Sequence, residues 1–294
     1  MPEHQIICLA NSYKHGGRCI AGIRTDGKEW IRPISDSPHG ALNYRDYRLS
    51  NGTYIEVLDL VSISLTEPKP AKHQPENWLF EKTPWKLIER PASSDVLKIV
   101  RNMLSADPFL FQDTNDRISC KELDRKPASS SLAIIHPKKL EFRITSSFSG
   151  TKQLRARFDL GNGMFDLVVT DPIWKERLRN KNNGTYSLSD VGIDIGIPIY
   201  LTISLGEPLD GYCYKLVAAI LQIPLPMIEK KEKAYSVIEK RETYPNAYAK
   251  WSSDDDIKLC NKFRQGVPQN ELAKLFQRNL GAIRSRLIKL GMIK

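Results

Sequence analysis

The sequence lacks the local motifs that identify many enzymes and membrane proteins. It contains no GxxxxGK[ST] phosphate loop, no GxGxxG dinucleotide-binding motif and no GxSxG nucleophile elbow. Its most apolar late segment, residues 216–228, is short and is interrupted by Pro224 and Pro226. The opening residues, MPEHQ, do not have the pattern of a signal peptide. These absences disfavour nucleotide-dependent enzymes and predict a protein that does not associate with membranes.

Cysteine is also scarce, with five residues whose spacing forms no CxxC pair. An odd number without clustering predicts a reducing, cytoplasmic compartment rather than a disulfide framework. The types of four N-terminal residues match a structural zinc site: His4, Cys8, His15 and Cys19. Their spacing lacks the short zinc knuckle, so we expect no metal and no cofactor.

Positive charge is what the chain has in excess. The 294 residues carry 44 Lys and Arg against 34 Asp and Glu, a net charge of +10. This balance predicts a polyanionic partner, DNA or RNA. With 41% apolar residues, the chain can build two or three small domains with hydrophobic cores.

The segment Ile6–Ser35 reads as three short strands, with a basic glycine loop before the second and a tight turn before the third. If Thr25–Gly27 forms a three-residue loop with Gly27 in the left-handed conformation, Gly22 pairs with Trp30. Alternation then predicts one core face and one basic face with an aromatic residue. The basic face would carry Arg18, Arg24, Lys28, Trp30 and Arg32.

An internal repeat suggests that the first part of the chain is duplicated. VSISLTEP at Val61–Pro68 and LTISLGEP at Leu201–Pro208 share five of eight residues at an offset of 140. Each half holds about five strand-like runs, and Asn162-Gly163 marks a hairpin in the second half. Five short strands in roughly a hundred residues fit closed barrels of the oligonucleotide-binding (OB) type.

We therefore predict a mainly β protein with some α structure. The predicted parts are a first OB-like five-stranded barrel (residues 1–72), a helical or irregular insertion (73–128), a second OB-like barrel (129–228), a charged linker (229–249) and a trihelical domain (250–294). Within the insertion, Ser94 is the predicted cap of a helix that runs to about Ser105. Aromatic residues near it, Trp78, Phe80 and Trp85, are expected to pack rather than to stack on bases.

The last 45 residues predict three helices. Ser252 and Asp255 form a capping box, Gly266 ends the first helix and Pro268 begins the second. The third helix places Leu280 and three other apolar residues inside and small or basic residues outside, as a helix that enters a major groove would. The segment from Lys250 holds ten Lys or Arg against four Asp or Glu. The candidate contacts are Arg278, Arg284, Ser285, Arg286 and Lys289.

Two resemblances sharpen these expectations. Trp251-Ser252, residues 271–273 (ELA) and residues 281–287 (GAIRSRL) resemble the Myb/SANT-like helix-turn-helix group. That resemblance implies duplex DNA contact, although such units also serve as protein-interaction modules. The first 225 residues resemble the dual OB-containing domain family of bacteria, through residues 7–12 (ICLANS), 16–22 (GGRCIAG) and 30–35 (WIRPIS). This second resemblance implies a fold and nucleic-acid binding, but no reaction.

The sequence thus predicts a non-catalytic nucleic-acid-binding protein. Single-stranded or structured nucleic acid would bind the barrels through Lys14, Arg18, Arg24, Trp30 and Arg32. The competing interpretation buries Trp30 and pairs the arginines with acids. Two other functions stay open: a protein-interaction adaptor, and a metal-dependent nuclease. The nuclease would draw on Asp159, Asp166, Asp171, Asp194 and Glu207.

Overall fold

A computed structural model describes residues 3–25, 29–107, 109–146, 150–193, 196–224 and 237–293. The predicted Asp26-Gly27 turn, Lys28, Asp194 and the first part of the charged linker lie outside the described residues. The chain divides into two compact units, Met1–Pro226 and Met227–Lys294. Among the described helices, none combines the length and apolarity that a bilayer crossing requires.

The first unit begins with a closed barrel. Its sheet contains β1 (Glu3–Lys14), β2 (Gly17–Arg24), β3 (Trp30–Ile34), β4 (Leu60–Pro68), β5 (Asn77–Phe80) and β6 (Lys86–Glu89). Five of these strands close in the order β1-β2-β3-β5-β4 and back to β1, while β6 flanks β4. Because β5 is needed for closure, the predicted barrel boundary at residue 72 is too early. Trp85 and Phe80 are buried and Trp78 packs against the barrel core, as expected of packing residues.

The second half of this unit forms an eight-stranded sheet rather than the five strands that we predicted. Its strands are β7 (Arg117–Ser119), β8 (Leu132–Ile135), β9 (Lys139–Ser146), β10 (Lys152–Asp159), β11 (Met164–Val169), β12 (Gly184–Tyr186), β13 (Ile199–Leu209) and β14 (Tyr212–Gln222). The order is β12-β9-β10-β11-β14-β13-β8, and β7 pairs with β14. Three short helices accompany the two sheets: α1 (Ser93–Asn102), α2 (Cys120–Arg125) and α3 (Pro172–Arg177).

The two halves share a topology, which agrees with the duplication. The antiparallel meander β1-β2-β3 corresponds to β9-β10-β11. In the first half β5 runs parallel to β3 and antiparallel to β4; in the second, β14 runs parallel to β11 and antiparallel to β13. The two similar octapeptides lie in β4 and β13, which occupy corresponding positions.

The predicted pairing of β2 with β3 is wrong by one residue. Ile23 pairs with Trp30, and the Arg24 amide donates to the Glu29 carbonyl, so the connecting loop is one residue longer than expected. A one-residue shift exchanges the two faces of a strand. Ile31 lies in the barrel core in either register, whereas the shift places Ile23 on the opposite face with Trp30.

That opposite face packs against the second sheet and α1, along a contact that we call the seam. The seam buries Leu9 and Ile23 of the barrel with Tyr200 and Ala219 of the second sheet. From α1, Val96, Leu97 and Val100 enter the same cluster. The Thr202 hydroxyl donates to the Leu9 carbonyl at 2.6 Å, and the Tyr13 amide donates to the Thr170 carbonyl at 2.9 Å. The predicted helix α1 thus contacts both halves, although Ser94 does not cap it because Ala92 holds that position.

The second unit contains four described helices, α4 (Val237–Thr243), α5 (Ser253–Arg264), α6 (Gln269–Leu275) and α7 (Leu280–Lys289). The capping box of Ser252 and Asp255 is confirmed. The last three helices enclose a small core of Leu259, Leu272, Phe276, Ile283 and Leu287. Leu280 is exposed, so its predicted place on the inner face of α7 is wrong.

Candidate nucleic-acid interface

Arg32 lies inside the seam rather than on the surface. Its side chain is 1% exposed and donates two hydrogen bonds to Glu76, at 2.8 and 3.2 Å. The same guanidinium reaches the hydroxyls of Ser131 and Ser204 in the second half, at 2.7 and 3.3 Å. Burial alone lowers the pKa of Arg32, but Cys19 and Glu76 outweigh this effect and hold the pKa above its ordinary value. Arg32 therefore joins the two halves and cannot contact a ligand in this arrangement.

Trp30 lies on the same side of β3. It is partly buried and packs against two clusters of the seam, which include Leu132, Tyr200 and Ala218 of the second half. An indole covered in this way does not offer a free face for stacking on a base. The face of β2 and β3 that we predicted for single strands is therefore largely occupied by the second sheet.

The other three candidates of the first barrel differ from one another. Lys14 forms an ion pair with Glu207 at 2.8 Å, and Arg24 forms one with Glu29 at 3.2 Å. Arg18 instead lies over the ring of Tyr13, 4.2 Å from the ring centroid. Of these three, Arg18 is the cation that forms no ion pair with a carboxylate among the described residues.

Arg18 belongs to a basic surface that the sequence did not predict as a whole. Tyr13 is 47% exposed, and the Lys175 ammonium lies 5.0 Å from its ring on the side of α3. The seam hydrogen bond between Tyr13 and Thr170 sets this contact, because Thr170 immediately precedes the segment that begins α3. We call the whole the Tyr13 surface and define it as Tyr13, Arg18, Lys152, Lys175, Arg177 and Lys181.

The cations of the Tyr13 surface bond to carbonyls and rings instead of acids. Lys152 donates to the Lys181 carbonyl at 2.9 Å, and Lys181 donates to the Asp190 carbonyl at 3.2 Å. Arg177 donates to the Gly192 carbonyl at 2.9 Å. Within the described part of the chain, no carboxylate forms an ion pair with any of the five cations. No direct ion pair therefore neutralises these cations, and Asp171 and Asp190 act on Arg18 and Lys181 only from a greater distance.

A shallow pocket of about 300 Å³ lies within this surface, between β10 and α3. It is lined by Tyr13, Lys152, Lys175 and Arg179, together with Glu176, which pairs with Arg179. A basic pocket with an exposed ring at its edge suits phosphate groups and a stacked base.

Asp171 holds α3 in place beside this pocket. One oxygen of its carboxylate accepts from the amides of Ile173 and Trp174, which caps the helix, and the other accepts from the Ile220 amide of β14. Burial raises the pKa of Asp171, although these three amides act in the opposite direction. Asp171 thus has a structural role, which removes it from the nuclease candidates.

The remaining acidic candidates do not form one carboxylate cluster in the described chain. Asp166 pairs with Arg143 and Arg155, and Asp159 accepts from the amide of Gly161 in a turn. Glu207 lines a second groove of about 560 Å³, which Asp166 and Asp116 also line, but Glu207 is paired with Lys14 and Asp166 with its two arginines. Burial raises the pKa of Glu207, and contacts with Lys14 and His39 outweigh it, so that the pKa lies below its usual value.

The proposed zinc residues are also separated. Cys8 is buried, its thiol donates to the Ala10 carbonyl, and burial raises the pKa of this thiol well above its ordinary value. His4 packs against Trp78 instead. The structure therefore does not assemble the four residues His4, Cys8, His15 and Cys19 into a site.

In the second unit, two of the five candidates support the fold. Arg278 is buried, donates to the Ala249 carbonyl at 2.8 Å and lies over Trp251; burial lowers its pKa. Arg286 pairs with Asp256 of α5 through two hydrogen bonds, at 2.5 and 2.6 Å. Arg284, Ser285 and Lys289 are exposed on the outer side of α7.

Sequence reasoning missed the cations of α3 because they are separated from Tyr13 by more than 150 residues. A local signal did exist: residues 175–181 read KERLRNK, with four cations and one acid. Such a run usually marks a solvated helix face, and its proximity to Tyr13 depends on the seam.

Comparison with solved structures gives weak similarities. The chain is 10% identical to the tetrameric p202 HIN2 structure (76% of this chain, 95% of that chain, TM-score 0.24). It is 8% identical to the Ifi202 HINa domain in complex with 20bp dsDNA (76% and 97%, TM-score 0.27). It is also 8% identical to a murine DNA binding protein bound with ds DNA (76% and 100%, TM-score 0.28). Scores this low carry no conclusion about arrangement or function.

No protein with a curated description matches the chain. A protein-family model does match it: the model of the dual OB-containing domain aligns with residues 4–220. This range covers most of the first unit, including the closed barrel, the seam and the Tyr13 surface. The chain therefore belongs to the dual OB-containing domain family.

Proposed function

We propose that this protein binds nucleic acid, DNA or RNA, without catalysing a reaction, and that the Tyr13 surface is its principal binding surface. The observation that carries the proposal is an exposed tyrosine with Arg18 and Lys175 over its ring and Lys152 in the adjoining pocket, none of which forms an ion pair with a carboxylate among the described residues. Phosphate groups supply the charge that such a surface attracts, and an exposed ring accepts a stacked base.

The barrels are the proposed site for single-stranded or structured nucleic acid. Stacking on an aromatic residue requires an unpaired base, whereas a row of cations follows any phosphate backbone. Tyr13 takes the role that the sequence suggested for Trp30, and Arg18 keeps its predicted role. Lys14 and Arg24 would add charge only after release from Glu207 and Glu29.

The outer side of α7 is the proposed site for duplex DNA. Arg284, Ser285 and Lys289 are exposed there, and Gly281 beside them permits close approach to a groove. Arg286 and Arg278 would act indirectly, by fixing α7 against α5 and Trp251. This proposal treats the second unit as a helix-turn-helix of the Myb/SANT-like type.

The experiment measures the binding of labelled single-stranded DNA, duplex DNA and RNA to the full chain by fluorescence anisotropy over a salt series. Neutralising Lys152 and Lys175 together, as Lys152→Ala with Lys175→Ala, should weaken single-strand binding. Each lost phosphate contact also reduces the slope of log K against log salt by about 0.7 on a single strand, so the double variant should lose about 1.4.

The matched control is Lys121→Ala with Arg125→Ala, which removes the same charge from the exposed side of α2. Equal salt slopes for the two double variants would show that binding depends only on the net charge of the chain. That result would overturn the Tyr13 surface as the principal binding surface. Absence of binding to all three nucleic acids at low salt would overturn nucleic-acid binding itself and favour a protein-interaction adaptor. Cleavage of the labelled strands in Mg²⁺ or Mn²⁺ would contradict the non-catalytic part.

A further inference from the structure

Two histidines and a glutamate converge at the rim of the 560 Å³ groove, where the first barrel meets β13. His15 follows β1, His39 lies in the short 3-10 turn Pro38–Gly40, and Glu207 lies in β13. His15 Nε2 is 3.3 Å and His39 Nδ1 is 3.0 Å from the same carboxylate oxygen, Oε2 of Glu207. These residues are separated by up to 192 positions in the sequence (15 to 207), so the seam is what brings them together.

The spacing of the three atoms suits a tetrahedral metal ion. With zinc bound to nitrogen and oxygen at about 2.0–2.2 Å, neighbouring ligand atoms of a tetrahedron lie about 3.4 Å apart. The two distances to Glu207 Oε2 are close to this value, and all three ligand atoms lie within 4.8 Å of one another. Small side-chain movements would therefore be enough to complete the ligand set.

The surroundings orient the three groups. Lys14 Nζ holds the other carboxylate oxygen, Oε1, at 2.8 Å, which leaves Oε2 to face both imidazoles. The two imidazole rings stack with their centroids 4.1 Å apart. Both histidines have left-handed backbones, with φ of 43° for His15 and 69° for His39. Such conformations are unfavourable for residues other than glycine and often accompany functional positions.

We propose that His15, His39 and Glu207 bind one divalent transition-metal ion, with zinc as the best match. Two imidazole nitrogens and one carboxylate oxygen, without a thiolate, suit zinc and its neighbours in the first row. Magnesium and calcium prefer sites built from oxygen ligands alone. Three protein ligands leave a fourth position for water or for an oxygen of a bound molecule, on the side of the groove that also contains Arg155 and Lys215.

The test uses Co²⁺ as a spectroscopic substitute for Zn²⁺ in the full chain. We expect one Co²⁺ per chain, the visible bands of a tetrahedral ion, and no thiolate-to-cobalt charge-transfer band. Zn²⁺ should displace the Co²⁺. The substitutions His39→Ala and Glu207→Gln should each weaken Co²⁺ binding by at least about tenfold, the scale seen even for residues that only support a ligand.

The matched control is His136→Ala, which removes an exposed histidine that contacts Tyr200 instead. Circular dichroism of each variant checks folding, and Glu207→Gln keeps the shape of the side chain in case His39→Ala disturbs the turn. Unchanged Co²⁺ affinity in both ligand variants, a thiolate charge-transfer band, or no Co²⁺ binding to the wild-type chain would each overturn the site. Nucleic-acid binding is measured separately, so either proposal can fail alone.

Discussion

Arg32 contributes buried, charged hydrogen bonds to the joint between the two halves. A guanidinium removed from water is stable only with hydrogen-bonded, charged partners, and Glu76 with Ser131 and Ser204 supplies them. Glu76 belongs to the first half and the two serines to the second. The hydrogen bonds of Arg32 to the two serines therefore form only when the halves are in contact.

Truncation of Arg32 should destabilise the first unit strongly. Arg32→Ala leaves Glu76 buried without its cation, a change that typically costs about 3–5 kcal/mol of the free energy of unfolding. Replacing both partners with apolar residues, as Arg32→Met with Glu76→Leu, should recover most of that loss. Urea unfolding of the full chain, followed by circular dichroism, measures both.

The control is Lys72→Ala, which breaks the exposed ion pair with Asp124 and should change the stability little. An Arg32→Ala variant as stable as Lys72→Ala would show that Arg32 does not join the halves. Residue types alone could not reveal this role, because an arginine after Trp30 fits a basic surface equally well. The second sheet, which covers the face of β3 that carries Trp30 and Arg32, decides between the two positions.

At the scale of elements, α7 is held against α5 by the pair of Arg286 and Asp256. The hydrogen bond and charge of Arg286 lower the pKa of Asp256, so the pair stabilises the folded state when the carboxylate is ionised. A carboxyl whose pKa is depressed on folding adds stability above its unfolded pKa of about 3.9. That contribution disappears as the pH falls through the lower folded pKa.

We therefore expect Asp256→Asn to speed amide exchange in α5 and α7 near neutral pH. The difference from the wild-type chain should shrink as the pH falls below about 4, because the wild-type carboxyl then becomes neutral as well. Hydrogen–deuterium exchange of the full chain, with both proteins compared at each pH, measures this difference.

A suitable control is Asp254→Asn, which removes a charge from the same helical turn and leaves the Arg286–Asp256 pair intact. A difference that stays constant from neutral to acidic pH would mean that the ion pair does not anchor α7.

Elements governed by local rules were predictable. The Ser252 capping box, the stop near Gly266 and the three last helices follow from capping and periodicity, which act within a few residues. Strands β5 and β12 were not predicted, because each has three or four residues and forms only by pairing with a distant partner. Leu280 shows a similar limit. Its spacing matches that of the core residues of α7, but it is the first residue of the helix and its side chain is exposed.

At the scale of the whole molecule, two proposed surfaces occur on separate units. The Tyr13 surface belongs to the first unit and the outer side of α7 to the second. Two weak contacts on one chain raise the effective concentration of each for the same nucleic acid. The sequence indicated this division through its charge, since residues 250–294 carry a net +6. It could not indicate the Tyr13 surface, which requires the seam.

Neutralising the outer side of α7 should weaken the binding of duplex DNA without weakening the binding of single strands. Arg284→Ala with Lys289→Ala should weaken duplex binding and reduce its salt slope by about 1.8, at about 0.9 for each lost contact. Single-strand binding through the Tyr13 surface should remain. Anisotropy titrations of the full chain with both nucleic acids measure the two effects together.

For comparison, Lys258→Ala with Arg264→Ala removes two exposed cations from α5 and should leave the duplex slope nearly unchanged. Full retention of duplex binding by the α7 variant would exclude α7 as the helix that contacts the major groove.

The hydrogen bonds across the seam have directions as well as strengths. Arg32 reaches the two serines, Thr202 reaches Leu9, and Tyr13 reaches Thr170 only when the halves meet in one alignment. A rotation of one half over the other would break all of them at once. The joined halves therefore hold Tyr13 of the barrel and Lys175 of α3 in a fixed relation, so any change that opens the seam should dismantle the basic surface without altering a single one of its residues.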